Sequence, residues 1–100
     1  MSKQYTTDLG SYRGQQYFLR VRATPNFDTP DDFAVVIFYK DATAGENVQI
    51  VRVDQAHGFT HIDKLYRRDA PKERVDWGIW EAVEQLKSNW RTYADGYAGG

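Results

Sequence analysis

The sequence predicts an α+β fold: a four-stranded antiparallel β-meander with one long C-terminal helix packed on one face. Three observations lead to this class. Short runs alternate apolar and polar side chains, the connections between them are too short for crossover helices, and one apolar stripe at helical spacing lies near the C-terminus. We expect a single domain over residues 1–100, with an irregular N-terminal arm over 1–15 and a frayed tail over 97–100.

The first two predicted strands lie on either side of a loop. Residues 16–23 alternate apolar and polar side chains, as a half-buried strand does. Residues 24–32 contain two prolines, an asparagine and several acids, which are typical of a loop. Residues 33–39 form the most apolar run of the chain, so we expect a central strand that is covered on both faces.

Residues 48–54 and 59–66 are two further β-rich runs, and Gly58 between them can adopt the positive φ of a tight turn, so they predict a hairpin. With a two-residue turn at His57 and Gly58, Asp54 lies opposite His61. A three-residue loop with a bulge shifts the pairing by one and separates those two side chains. The sequence leaves both registers open.

The C-terminal region predicts one helix that begins between residues 71 and 77, because Pro71 suits a first turn and Asp69 or Asp76 can cap it. Gly96 suits the position after a helix, so we expect the end near residues 95–96. One stripe at spacings of three and four should pack on the sheet: Val75, Ile79, Ala82, Val83, Leu86, Trp90 and Tyr93.

Composition excludes several classes of protein. Thirteen basic and fourteen acidic residues give a net charge of −1, which argues against a nucleic-acid binder that depends on bulk charge. The absence of cysteine excludes disulfides and thiolate metal sites. The N-terminus has no apolar signal region and no run suits a membrane span, so we expect a cytoplasmic protein without a membrane partner. The phosphate-loop, dinucleotide and serine-hydrolase motifs are absent from the sequence.

The predicted hairpin carries the candidate catalytic residues. A carboxylate beside an imidazole orients its tautomer, so an Asp54–His61 pair would prepare His61 to transfer a proton near neutral pH. His57 at the turn tip is the candidate second proton-transfer group. The alternative is that Asp54 with His61, and Arg52 with Asp63, are ordinary cross-strand pairs on an exposed sheet face.

Three further residues near the hairpin are candidates for contact with phosphate or RNA. Arg52 and Arg67 can neutralise phosphate charge, and Tyr66 can stack on a base. With the catalytic candidates they supply a base, an acid and a cation, the components of metal-independent RNA cleavage.

A metal site would have to use the histidines and aspartates of the hairpin. Along an extended strand, four residues place His57 and His61 about 13 Å apart, and no metal-binding motif supports the site. We therefore expect no metal and no cofactor.

Trp77 and Trp80 lie off the apolar stripe of the predicted helix. Trp77 either precedes the helix and folds over a sheet edge, or forms with Trp80 an exposed patch for another protein or a second copy of the chain. The sequence therefore leaves a non-catalytic interaction or homodimerisation module as the alternative function.

The stretch from Arg52 to His57, with His61 following, resembles the toxin components of prokaryotic toxin–antitoxin modules of the TumE type, which carry an R-x-D-x-A-H-like strand end. The resemblance covers residues 52–68. It implies an RNA-directed ribonuclease toxin that is held in check by an antitoxin, with Asp54, His57 and His61 as the residues carried over. The chain also resembles short uncharacterised prokaryotic proteins with the same hairpin-then-helix plan, for which no function is implied.

Overall fold

A computed structural model describes residues 2–41, 45–56, 59–64 and 73–99. These ranges contain six strands and one helix: β1 Lys3–Tyr12, β2 Gln15–Thr24, β3 Asp32–Asp41, β4 Glu46–Ala56, β5 Phe59–Lys64, β6 Glu73–Val75 and α1 Ile79–Gly99. The strands form one sheet in sequential order, and each pair of neighbours is antiparallel. The α+β class is confirmed, but the described sheet has six strands rather than four.

The N-terminal strand corrects the prediction of an irregular arm over residues 1–15. β1 pairs with β2 from Lys3 to Tyr12, with one bulge between Asp8 and Gly10. Arg13 and Gly14 connect the strands, with φ values of 53° and 81°. Positive φ angles at both central residues are those of a type I′ hairpin turn. The prediction failed because β1 is an edge strand in which no residue is fully buried, so its alternation of apolar and polar residues is weak.

Both ends of the helix differ from the prediction. Val75, which we expected on the helical stripe, lies in β6 opposite Thr60, and α1 begins only at Ile79. At the other end the helix continues through Gly96 to Gly99, so the predicted end and the tail from residue 97 are wrong. Beyond the predicted end Tyr97 packs on the core, and this packing offsets the roughly 1 kcal/mol that glycine costs inside a helix.

The core lies between α1 and one face of the sheet, which we call the helix face. As predicted, the stripe from Ile79 to Trp90 is buried there. It packs on the alternate residues of β2, β3 and β4: Tyr17, Leu19, Val21, Ala23, Phe33, Val35, Ile37, Val51 and Val53. β4 has a bulge opposite Ile37 and Phe38, and the additional residue, Ile50, is also fully buried in the core.

The turn between β1 and β2 is anchored to the helix by a polar contact. Tyr12 Oη donates to Asp95 Oδ1 at 2.8 Å, and Arg13 Nε donates to the same oxygen at 2.6 Å. These two donors hold the pKa of Asp95 below its ordinary value. The rings of Tyr12 and Trp90 also form an edge-to-face pair, with centroids 5.8 Å apart.

Within the described residues, no helix is long and apolar enough to cross a membrane.

Candidate anion-binding site on the open sheet face

The opposite side of the sheet, which we call the open face, carries the other half of each alternating strand. No described helix covers it. Period-two alternation places on this face the residues of β2 and β3 that are absent from the helix-face core: Phe18, Arg20, Arg22, Ala34, Val36 and Phe38. The cross-strand pairs are Phe18 with Phe38, Arg20 with Val36, and Arg22 with Ala34. β4 adds Arg52, which lies opposite Val36.

Apolar residues on this face are buried although no helix packs on them. Val36 is 8% exposed and Phe38 is 3% exposed. The guanidinium carbon of Arg20 lies 4.7 Å from the centroid of the Phe38 ring, and Phe18 stacks against Phe38 at 5.5 Å with planes 21° apart. The guanidinium group of Arg20 thus covers apolar surface of the open face by lying over an aromatic ring.

A depression of about 240 Å³ lies in this face. Its lining combines three arginines and two glutamines with two small aliphatic side chains: Gln4, Arg20, Arg22, Ala34, Val36, Gln49 and Arg52. These residues come from four adjacent strands, because β1 pairs with β2, β2 with β3, and β3 with β4. The site is therefore a cluster of hydrogen-bond donors in which every charged lining residue is cationic.

The three arginines differ in what they already bind. Arg52 Nε lies 3.0 Å from Asp54 Oδ2, an ion pair without hydrogen-bond alignment. Arg20 Nε is buried and has no hydrogen-bond partner among the described residues. Arg22 is exposed and has no ion pair within the part of the chain that the structure describes. Arg20 and Arg22 therefore have donors available for a ligand.

Of the two hairpin registers that the sequence left open, the structure has the one that places Asp54 opposite His61. Asp54 pairs with His61, and Arg52 pairs with Asp63, as a two-residue turn requires. However, His61 Nδ1 is buried without a hydrogen-bond partner among the described residues, and a carboxylate oxygen of Asp54 lies beside Arg52 instead. The structure thus brings Asp54 opposite His61 without the hydrogen bond that would orient the imidazole.

Other candidates cannot be placed in the site. His57, Tyr66 and Arg67 lie outside the described residues. Within the described ranges, no group of three or more histidine, aspartate or glutamate side chains is arranged to hold a metal ion.

The two tryptophans occupy different environments. Trp77 precedes the helix and packs partly buried against the core, and its carbonyl accepts a hydrogen bond from Thr60 Oγ1 at 3.2 Å. This is the first of the two predicted arrangements, in which Trp77 folds over the sheet. Trp80 is 52% exposed and contacts the ring of Phe27 at 5.8 Å. Trp80 is therefore the more accessible of the two predicted partner residues.

The sequence predictions missed Arg20, Arg22, Gln4 and Gln49. The alternation of β2 places Arg20 and Arg22 on one face, but it does not show that Arg52 from β4 converges on them. That convergence depends on β3 lying between the two strands and on its small residues, which leave a depression.

Comparison with known proteins identifies one family. The family model described as Domain of unknown function (DUF7718) matches residues 1–100. No curated protein and no solved structure matches the chain. The resemblance to TumE-type toxins is not tested by these comparisons and stays a prediction.

Proposed function

Because the chain belongs to the DUF7718 family, a domain of unknown function, we propose a function from its geometry: RNA binding through the arginine-lined depression of the open face. The observation that carries the proposal is the convergence of three arginines on one depression, where Arg20 Nε is buried without a partner. The planar guanidinium group matches the geometry of a phosphate and donates two parallel hydrogen bonds to it.

The size of the depression favours a phosphate of a larger ligand over a complete small molecule. Pockets for drug-sized ligands are typically about 300–1,000 Å³, and this depression is smaller, at about 240 Å³. It also lies on a sheet face, with further cations and aromatic rings beside it. The amides of Gln4 and Gln49 on its lining are suited to donate to and accept from ribose hydroxyls.

The net charge of −1 is compatible with this function because the charges are unevenly distributed. Arg20, Arg22 and Arg52 converge at the depression, whereas Glu81 and Glu84 are exposed on the helix on the other side of the sheet. A local cationic surface, and not the total charge, sets the attraction for phosphate within a Debye length of about 8 Å at physiological salt.

The described geometry supports binding more directly than cleavage. Metal-independent cleavage by His61 and His57, as the toxin resemblance implies, is a further proposal. It requires Asp54 to leave Arg52 and orient His61 when RNA binds. An RNA phosphate that takes over Arg52 would release Asp54 for that role.

The test is fluorescence anisotropy with a labelled mixed-sequence RNA, using the parent protein and the Arg22→Gln variant. We expect Arg22→Gln to weaken binding about tenfold and to reduce the salt dependence by about one phosphate contact. Lys87→Gln is the matched control, because it removes one positive charge from an exposed position of α1. It should bind as the parent does.

Two results would overturn the proposal: no binding by the parent at low salt, or equal affinities of the parent and a folded Arg22→Gln variant. The same samples, incubated in excess chelator beside His61→Ala, report on cleavage. Intact RNA with the parent would remove the cleavage proposal and leave binding in place.

A second proposal, an interaction surface for another protein or a second copy of the chain, is supported by the exposed ring of Trp80. Trp80→Ala should then reduce association in sedimentation or pull-down experiments while RNA affinity is unchanged. Unchanged association would count against this surface.

A further inference from the structure

We propose that the RNA is single-stranded and that it runs from the depression along β2 and β3 to Phe18, where a base stacks. This inference rests on the RNA-binding proposal. We call the path the cation–aromatic stripe, and its members are Arg22, Arg20, Phe38, Phe18 and Lys40. Arg22, Arg20 and Phe18 are alternate residues of β2 and therefore share one face over about 13 Å.

Phe18 has the contacts expected of a stacking platform. Its ring packs on the nearly buried ring of Phe38, which Arg20 also covers, so Phe18 is supported from the sheet. It is itself only half-buried. The one described cation near its ring is the exposed Lys40, whose Nζ lies 5.1 Å from the ring centroid. A lysine on a flexible stem is able to move from the ring to a neighbouring phosphate, which frees surface on the ring for a base.

Acidic residues determine the direction of the path. Beyond Arg52 the face continues with Asp54, and Asp63 lies opposite Arg52 on β5, so phosphates are repelled on that side. Asp8 lies opposite Phe18 on β1, and its Oδ1 accepts hydrogen bonds from Gly10 N at 2.8 Å and from Gln16. A carboxylate beside Phe18 favours an uncharged base there over a phosphate.

The platform requires single-stranded nucleic acid. In a duplex the faces of the bases are stacked on one another, and a side chain on a sheet reaches only phosphates and groove edges. A single strand presents its unstacked bases to an aromatic ring, and such stacking tolerates many sequences. We therefore expect the protein to bind single-stranded RNA much more tightly than duplex RNA. Its affinity should differ little between single strands of different sequence.

The experiment compares a labelled eight-nucleotide single-stranded RNA with the same strand in a duplex, by anisotropy at one salt concentration. We expect the parent to bind the single strand at least tenfold more tightly. Phe18→Leu should lose about five- to twentyfold in affinity for the single strand and almost none for the duplex. Phe18→Trp, which retains an aromatic face, should keep the preference of the parent for the single strand over the duplex.

The results separate this inference from the RNA-binding proposal. Equal binding of single strand and duplex by the parent would overturn the inference. Full single-strand affinity in a folded Phe18→Leu variant would also overturn it, even if Arg22→Gln weakens both forms and RNA binding stands. If the parent binds neither form, both proposals fail. A thermal melt of each variant shows whether the protein is folded, because Phe18 packs on Phe38.

Discussion

The two faces of this sheet exclude water by different means. On the helix face, Val35 and Ile37 are completely buried beneath a second layer formed by α1. On the open face, Val36 and Phe38 are almost as inaccessible, yet no described helix lies over them. At Phe38 the cover comes from the side chains of Arg20 and Phe18.

Burial alone therefore does not distinguish a packed core from a sheet face that no described helix covers. A helix that covers a core is held by many contacts, whereas an arginine side chain whose guanidinium group covers a ring moves within the range of its rotamers. The open face therefore combines a dry apolar floor with cationic groups that can reorganise around an anion. Four predictions test this contrast, in order of decreasing effect.

The largest effect is expected on the helix face. Leu86→Ala removes a fully buried side chain from the helix–sheet interface and should lower the free energy of unfolding by about 2–5 kcal/mol, because a cavity remains. Urea denaturation measures this change in the free energy of unfolding. The adjacent Lys87→Ala is exposed and should stay within about 0.5 kcal/mol of the parent. A similar loss in both variants would contradict the assignment of this face as the core.

Neighbouring valines of β3 compare the faces directly. Val35→Ala on the helix face should cost about 2 kcal/mol, because the methyl groups leave a cavity that the packed layers cannot close. Val36→Ala on the open face should cost about 1 kcal/mol or less, because Arg20 and Arg52 lie beside it and are able to move in. The two substitutions are at adjacent positions of β3 and remove the same side-chain volume. Equal losses in urea denaturation would show that the open face is as rigidly packed as the core.

Alkaline pH should lower the free energy of unfolding through tyrosines on the helix face. Burial raises the pKa of Tyr5, Tyr17 and Tyr39, all of which pack on that side of the sheet. With the folded-state pKa raised, these tyrosines lose their protons first in the unfolded chain, so stability is complete below pH of about 10 and falls as the pH rises further. Urea midpoints between pH 7 and pH 11 measure this. In Tyr17→Phe the urea midpoint should fall less steeply with pH. An unchanged fall would show that Tyr17 does not contribute to the loss of stability.

The smallest effect is expected at Asp95, where α1 contacts the turn between β1 and β2. Asp95→Asn weakens the contact with Tyr12 and Arg13, whose donors lower the pKa of that carboxyl group. A lowered pKa means that the contribution is complete above the ordinary aspartate value and is lost as the pH falls through the folded-state value. The variant should therefore have a slightly lower urea midpoint at pH 7, and its difference from the parent should shrink as the pH falls below the ordinary aspartate value. A difference that persists in acid would point to a cause other than ionisation.

Sequence patterns predicted the elements that are half-buried or fully buried. The alternation of β2, the apolar run of β3 and the stripe of α1 all reflect contact with one core, and each was predicted close to its observed position. β1 and β6 were missed because an exposed edge strand has little apolar pattern, and β6 has only three residues. The turn of Arg13 and Gly14 has no asparagine or aspartate to mark it.

Because periodicity is a local property, the sequence alone was sufficient to predict the α+β class and to place Arg20 and Arg22 on one strand face. Tertiary packing was needed to select the register that pairs Asp54 with His61 and to place Asp54 beside Arg52 instead of orienting His61. It also brings Arg52 to those arginines across β3. It also decided where α1 begins and ends. These features depend on strand order and on which face the helix covers, and both result from packing among residues that are distant in the chain.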